Sequence, residues 1–218
     1  MKIIVMVASA IICYLLGSIS SSILVGRMFG LSDIRKHGSG NAGATNTLRV
    51  LGKKAAVFTV LGDVLKTVIA VLIARLLANS FLDPVAAQIS VYISAFAIAL
   101  GHNFPIYFKF KGGKGVLTSG VIIIMISPLF GTLTVLTCLT VMAITKYVSL
   151  GSITGGVLYP LLIILFETND ITKFETNDIT KIVFALVLGL MLVIRHSANI
   201  KRLIKGTENK LGAKKEQK

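Results

Sequence analysis

The chain has 218 residues, 54% of them hydrophobic and only 15% charged, with a formal net charge of +14. A mean hydropathy of +0.83 excludes an ordinary soluble domain, which carries nearer a quarter charged residues, and reads as a multi-span membrane protein. In such a chain the basic excess gathers in cytoplasmic loops, beside anionic lipids and anionic substrates, so it does not point to nucleic acid.

Residues 3–25 are apolar or small throughout and long enough to cross a bilayer. Lys2 and the small residues Ala8-Ser9-Ala10 have signal-peptide character. The apolar run continues well past that point, however, so it predicts a first transmembrane helix rather than a cleaved leader. A polar stretch follows over 27–54, then a second span over 55–78 and a third over 85–100, with Asp83-Pro84 as the turn between them. Residues 116–145 are apolar over about 45 Å of helix, too long for one crossing of a ~30 Å core. Ser127-Pro128 interrupts the run, and a proline inside a helix removes a donor, so two short spans are expected. A sixth span is expected at 152–166 and a seventh at 182–194, before a basic tail from Arg195. Cys13 and Cys138 lie in apolar runs and supply neither a metal spacing nor a disulfide framework.

One octapeptide, Phe166 to Lys173, recurs unchanged as Phe174 to Lys181. Eight residues are too short for a solenoid unit, so the duplication at 166–181 reads as a lengthened surface loop on the external side of a single domain, 1–218. Charge sets the orientation. With an external N-terminus and seven spans, one side collects eighteen of the twenty-three Lys and Arg: six in 26–54, three in 101–115, Lys146, and eight in the tail. The expectation is an all-α integral membrane protein with seven transmembrane helices, N-out and C-in, in the cell membrane, its motif-rich loops facing the cytoplasm.

Three polar stretches stand on that face. The first holds Ser39, Asn41, Thr45, Asn46 and Arg49 among Gly38, Gly40 and Gly43. Arginine offers a planar fork suited to phosphate, and Ser, Thr and Asn bond a phosphate or a polyol. The second, Gly101 to Gly115, carries Lys109, Lys111 and Lys114 around Gly112-Gly113. Adjacent glycines permit a tight turn whose successive N–H groups form a nest for an anion. A loop that merely sets membrane orientation has the same composition. In the third, His196 and Asn199 are three apart and share a helix face, with Glu208 downstream. Within the second span, Asp63 and Lys66 are spaced for a structural ion pair, and Arg75 for snorkelling. No nucleophile motif, metal-ligand cluster or Walker A loop occurs, so neither a metal nor a cofactor is expected. A transporter for an organic phosphate and a lipid-binding structural protein are the rival classes.

Gly38-Ser-Gly-Asn-Ala-Gly-Ala-Thr-Asn-Thr-Leu-Arg49, Gly101-His-Asn-Phe-Pro with Phe110-Lys-Gly-Gly-Lys-Gly115, and His196-x-x-Asn199-Ile-x-Arg202-Leu-x-x-Gly206-x-Glu208 together resemble the acyl-phosphate:glycerol-3-phosphate acyltransferases, the PlsY family. Ser20 stands where that pattern leads one to expect proline, and Thr67 where it leads one to expect glycine. The resemblance implies a seven-helix bundle that transfers a fatty acyl group from acyl-phosphate to the 1-hydroxyl of sn-glycerol 3-phosphate, a step of phospholipid biosynthesis. It implies that Ser39, Arg49, Lys114, His196 and Asn199 hold the substrates, that Gly112 and Gly113 form a phosphate loop, and that Glu208 braces the third motif. Which of Lys109, Lys111 and Lys114 meets phosphate stays open, as does the base, either His196 or a substrate phosphate oxygen.

Overall fold

A computed structural model describes residues 1–167 and 176–212, and every regular element among them is helical. The chain divides into two compact units, Met1–Met125 and Ile126–Lys218.

In the first unit, α1 (Lys2–Gly17) and α2 (Ser21–Met28) are one apolar stretch broken at Ser18–Ser20. Helix α3 (Ala44–Phe81) is broken at Gly52, whose φ of 83° suits a residue without Cβ. The polar loop expected over 27–54 therefore ends in its own short helix before the span begins. Asp83 caps α4 (Pro84–Asn103) through the Ala86 N–H, with Pro84 at the first helical position, where its missing donor costs nothing. Helix α5 (Val116–Ile126) closes the unit.

These helices meet through small residues, because inside a bilayer close packing rather than water exclusion drives association. Gly17 lies against the Ile98 backbone, and Gly101 against Tyr14 and Gly17. The Ser9 and Ser94 hydroxyls pair at 2.8 Å, and the Cys13 thiol donates to the Ala70 carbonyl. Leu61, Leu65, Leu72 and Leu76 of α3 face outward, as lipid-facing side chains do.

The second unit comprises α6 (Pro128–Thr145), α7 (Val148–Leu162) with a π-helical continuation at Ile163–Glu167, α8 (Thr176–Arg195) and α9 (Ser197–Ile204). Gly151 and Gly155 admit Met142 and Cys138 of α6, and Gly156 meets Gly189 of α8. Helices α8 and α9 are bent by 58° about His196.

Among the described residues five helical segments are long and apolar enough to cross a membrane, or six if the bent α8–α9 pair is counted as one span. The expected break at Ser127-Pro128 is present, but α5 has 11 residues and so covers only about 16 Å, roughly half a hydrocarbon core. The guanidinium of Arg75 bonds the Met125 carbonyl, one of those a helix end leaves without a partner. Of the duplicated octapeptide, residues 168–175 lie outside the described residues. The end of the second copy, from Thr176, is already helix α8.

Candidate active site

In the first unit the site is built from two loops. The stretch before α3 turns over a short 3-10 segment, Ile34–Lys36, and is organised by Asn46. Asn46 is buried, and its Oδ1 accepts from the Ser39 N–H at 2.7 Å and the Ser39 hydroxyl at 3.1 Å. Its Nδ2 donates to the carbonyls of Ile34 and His37. All four valences of the amide are spent on the loop. Asn46, expected among the substrate-binding residues, is thus placed as a brace of the backbone that presents Ser39. By contrast Arg49 is exposed, Asn41 and Thr45 are half-buried, and among the described residues none of the three has a side-chain hydrogen bond. They are available to a ligand.

The second loop runs from Phe104 to Gly115. Gly112 N–H donates to the Asn103 carbonyl and Gly113 N–H to the His102 carbonyl. The expected anion nest is therefore not made by these two amides, which point back into the protein. What the glycines supply is close approach. A Cβ on Gly112 would strike the His102 carbonyl oxygen, and one on Gly113 would strike the His102 ring and come within 2.6 Å of the Ala42 carbonyl oxygen. Gly113 is thus wedged between the two loops. The N–H groups that lack helical partners come next, at the first turn of α5, immediately after Lys114. Lys114 is half-buried, while Lys109 and Lys111 are exposed.

Arg35 joins the loops, a role the residue pattern did not suggest. Its Nη1 donates to the carbonyls of Phe108 (2.9 Å) and Lys111 (2.7 Å), while Nε and Nη2 grip the Asp33 carboxylate. The hydrogen bond from Arg35 outweighs partial burial and holds the Asp33 carboxyl below the usual carboxylate range.

Beneath the second loop Asp63 and Lys66 form the expected ion pair at 2.8 Å, both buried. The Lys66 ammonium has three donors and uses all of them: on Asp63, on the Ile19 carbonyl at 2.6 Å, and on His102 Nδ1 at 3.1 Å. The break between α1 and α2 is what leaves the Ile19 carbonyl free to accept. Ser21 adds a bond to Asp63 at 2.9 Å. Thr67, in place of the expected glycine, donates to the Asp63 carbonyl.

The second unit holds the third motif. Asn199 Nδ2 donates to Glu208 at 2.7 Å, Arg202 Nε at 2.6 Å and Ser149 Oγ at 2.9 Å. One carboxylate so ties α9 to the start of α7. Burial opposes the charged form of Glu208, but these bonds and the Arg202 charge prevail and hold its carboxyl below the ordinary range. His196 stands at the other end of the third motif. Its ring is buried at the α8–α9 bend with Nδ1 2.8 Å from the Leu192 carbonyl, so Nδ1 carries the proton and, in the neutral ring, Nε2 is the acceptor nitrogen.

The family model "Glycerol-3-phosphate acyltransferase" matches residues 7–206. The chain belongs to the glycerol-3-phosphate acyltransferase family. A relative from Thermoanaerobacter pseudethanolicus, called glycerol-3-phosphate acyltransferase, is 44% identical over 97% of this chain and 98% of its own length. Another of that name, from Clostridioides difficile, is 42% identical over 95% and 96%. Among solved structures, the crystal structure of PlsY, an integral membrane glycerol 3-phosphate acyltransferase, in its glycerol 3-phosphate form is 34% identical. It superposes with a TM-score of 0.80 over 95% of this chain and 96% of that one. The lysophosphatidic acid form of PlsY gives 33% identity and 0.79. The architecture is therefore the all-helical integral membrane fold of this family, which sets aside the transporter and the structural lipid binder.

Proposed function

We propose that this protein transfers a fatty acyl group from acyl-phosphate to the 1-hydroxyl of sn-glycerol 3-phosphate, releasing lysophosphatidic acid and phosphate. The reaction is placed at the cytoplasmic face of the cell membrane, in a seven-span, N-out, C-in topology with α5 as the shortest span. One observation carries the reading. Arg49, Asn41 and Thr45, uncommitted among the described residues, stand on a loop bolted by Arg35 and Gly113 to a second loop that bears Lys111 and Lys114 and leads into the N-terminal turn of α5. Each monophosphate carries about −1.5 to −2 charge at neutral pH, so two phosphorylated substrates call for several cations and oriented donors.

Acyl-phosphate is an activated mixed anhydride. The glycerol hydroxyl oxygen attacks the acyl carbon, the bond from that carbon to the phosphate oxygen breaks, and the hydroxyl proton ends on phosphate. No covalent acyl-enzyme is needed, because positioning and charge stabilisation supply the rate. Ser39, Arg49 and Lys114 are assigned to phosphate, and His196 and Asn199 to the same reaction. Either Nε2 of His196 or a substrate phosphate oxygen takes the proton. The Leu192 carbonyl that fixes the tautomer supports His196.

Purified protein given acyl-phosphate and labelled glycerol 3-phosphate should form lysophosphatidic acid, and Arg49→Ala or Lys114→Ala should slow its formation about a hundredfold. Product from acyl-CoA or acyl carrier protein but none from acyl-phosphate would overturn the donor assignment.

A further inference from the structure

We propose that the Asp33–Arg35 pair is a positioning element of the transfer reaction, a staple that fixes the tip of the glycine loop against the Ser39–Arg49 loop. The inference rests on the reading above that these two loops hold phosphorylated substrates.

The tip needs holding. Lys109 and Phe110 are consecutive residues at φ 57° and 58°, the left-handed region that side chains with a Cβ disfavour. Left to itself the segment would relax toward ordinary backbone angles and carry Lys111, Gly112 and Lys114 with it. The two carbonyls that accept from Arg35 Nη1, Phe108 and Lys111, bracket those two residues. Behind the tip, Phe110 N–H donates to the Pro105 carbonyl, and Gly112 and Gly113 to Asn103 and His102. Arg27 lies over the Phe108 ring at 5.8 Å. The staple closes the one side of the loop that faces the first motif.

Asp33 makes the staple rigid. Its carboxylate takes Nε and Nη2 of Arg35 and also the Arg35 N–H, so the guanidinium plane is set before Nη1 reaches across. Four of the five guanidinium donors are thereby committed, which makes Arg35 a poor direct phosphate ligand. The planar fork is essential: a lysine ammonium is a point charge that cannot hold a carboxylate and two carbonyls in this geometry. Arg35 sits three residues before Gly38 on the same strand of chain that carries Ser39 and Arg49. The staple therefore sets the distance between the cations of the two motifs, and a small misplacement of positioned groups costs rate or affinity.

The test uses full-length protein in detergent with Arg35→Lys and Arg35→Met. We expect both to raise KM for one or both phosphorylated substrates by roughly tenfold, with a smaller change in kcat. Amide exchange should quicken across 108–113 while the spans keep their protection and the melting temperature holds. Three results would each overturn the staple: wild-type KM in Arg35→Lys, which means charge alone suffices; unchanged exchange at 108–113 in Arg35→Met; or protection lost throughout the spans, which means a general structural role. If the wild type is inactive with acyl-phosphate but exchange at 108–113 responds as stated, the donor assignment fails and the staple stands.

Discussion

Lys66 Nζ stands 3.1 Å from His102 Nδ1, and the far edge of the same imidazole lies against Gly113. A buried ion pair within the helices is thus joined through one ring to the loop that bears Lys114. His102 Nδ1 also lies 3.8 Å from the Asp63 carboxylate, so the ring touches both members of the pair.

Removing one member of this network leaves a buried charge uncompensated, which is far costlier than removing both. Lys66→Met should destabilise the protein by about 3–5 kcal/mol. Lys66→Met combined with Asp63→Asn should recover part of that loss. Thermal unfolding of the two single variants and the double variant in one detergent measures the coupling. Additive losses would show that Asp63 and Lys66 do not depend on each other.

Asn46 and Arg49, three residues apart, should separate cleanly. Asn46→Ala strands the Ile34 and His37 carbonyls and the Ser39 N–H and should cost roughly 2–4 kcal/mol of stability. Arg49→Ala removes an exposed side chain with no hydrogen bond among the described residues, so the melting temperature should not move. Its kcat/KM should nonetheless fall about a hundredfold, the loss of a charged hydrogen bond worth up to about 3 kcal/mol. A stable, fully active Arg49→Ala would remove this residue from the site.

The contrast shows where sequence reading stops. Composition, charge asymmetry and the clustering of Ser, Asn, Arg and glycine-lysine stretches are local properties, and they were enough to locate the loops, the Asp83-Pro84 turn and the Asp63–Lys66 pair. They could not tell Asn46 from Arg49, because both are polar residues on one loop and their roles depend on which carbonyls fold back to meet them. The partners of Arg35 are 73 and 76 residues away. A sequence shows that a guanidinium can bond carbonyls without showing whose. The same holds for Gly112 and Gly113, whose amides are turned inward by Asn103 and His102 although the glycine pattern suggested an outward nest.

Gly113→Ala tests the close approach directly. A methyl there meets the Ala42 carbonyl and the His102 ring, neither of which is a flexible side-chain end. Overpacking of this kind costs about 1–3 kcal/mol, and because it pushes apart the two substrate-bearing loops we expect about a thirtyfold loss in kcat/KM. Steady-state kinetics with each substrate varied in turn will read it. A fully active Gly113→Ala would mean that the loop spacing is not set here.

Glu208 has its carboxyl held below the ordinary range, with burial opposing and the bonds from Asn199, Arg202 and Ser149 prevailing. For a carboxyl depressed on folding, the unfolded state binds the proton more readily. Its stabilising contribution is therefore fully present above the unfolded value and is lost as pH falls through the folded one. The window lies below about pH 4.5, and at neutral pH the contribution is constant. Protonation removes the charge that Arg202 meets at 2.6 Å and weakens the acceptor shared by Asn199 and Ser149, so α9 should loosen from α7 first. Glu208→Gln should lower the melting temperature at pH 7 and flatten its fall below about pH 4.5. Amide exchange over 197–208 in the wild type should quicken across the same acid range. A Glu208→Gln variant whose melting temperature falls as steeply with acid as the wild type's would assign the acid sensitivity to other carboxylates, with Asp33, depressed in the same direction, the first to test.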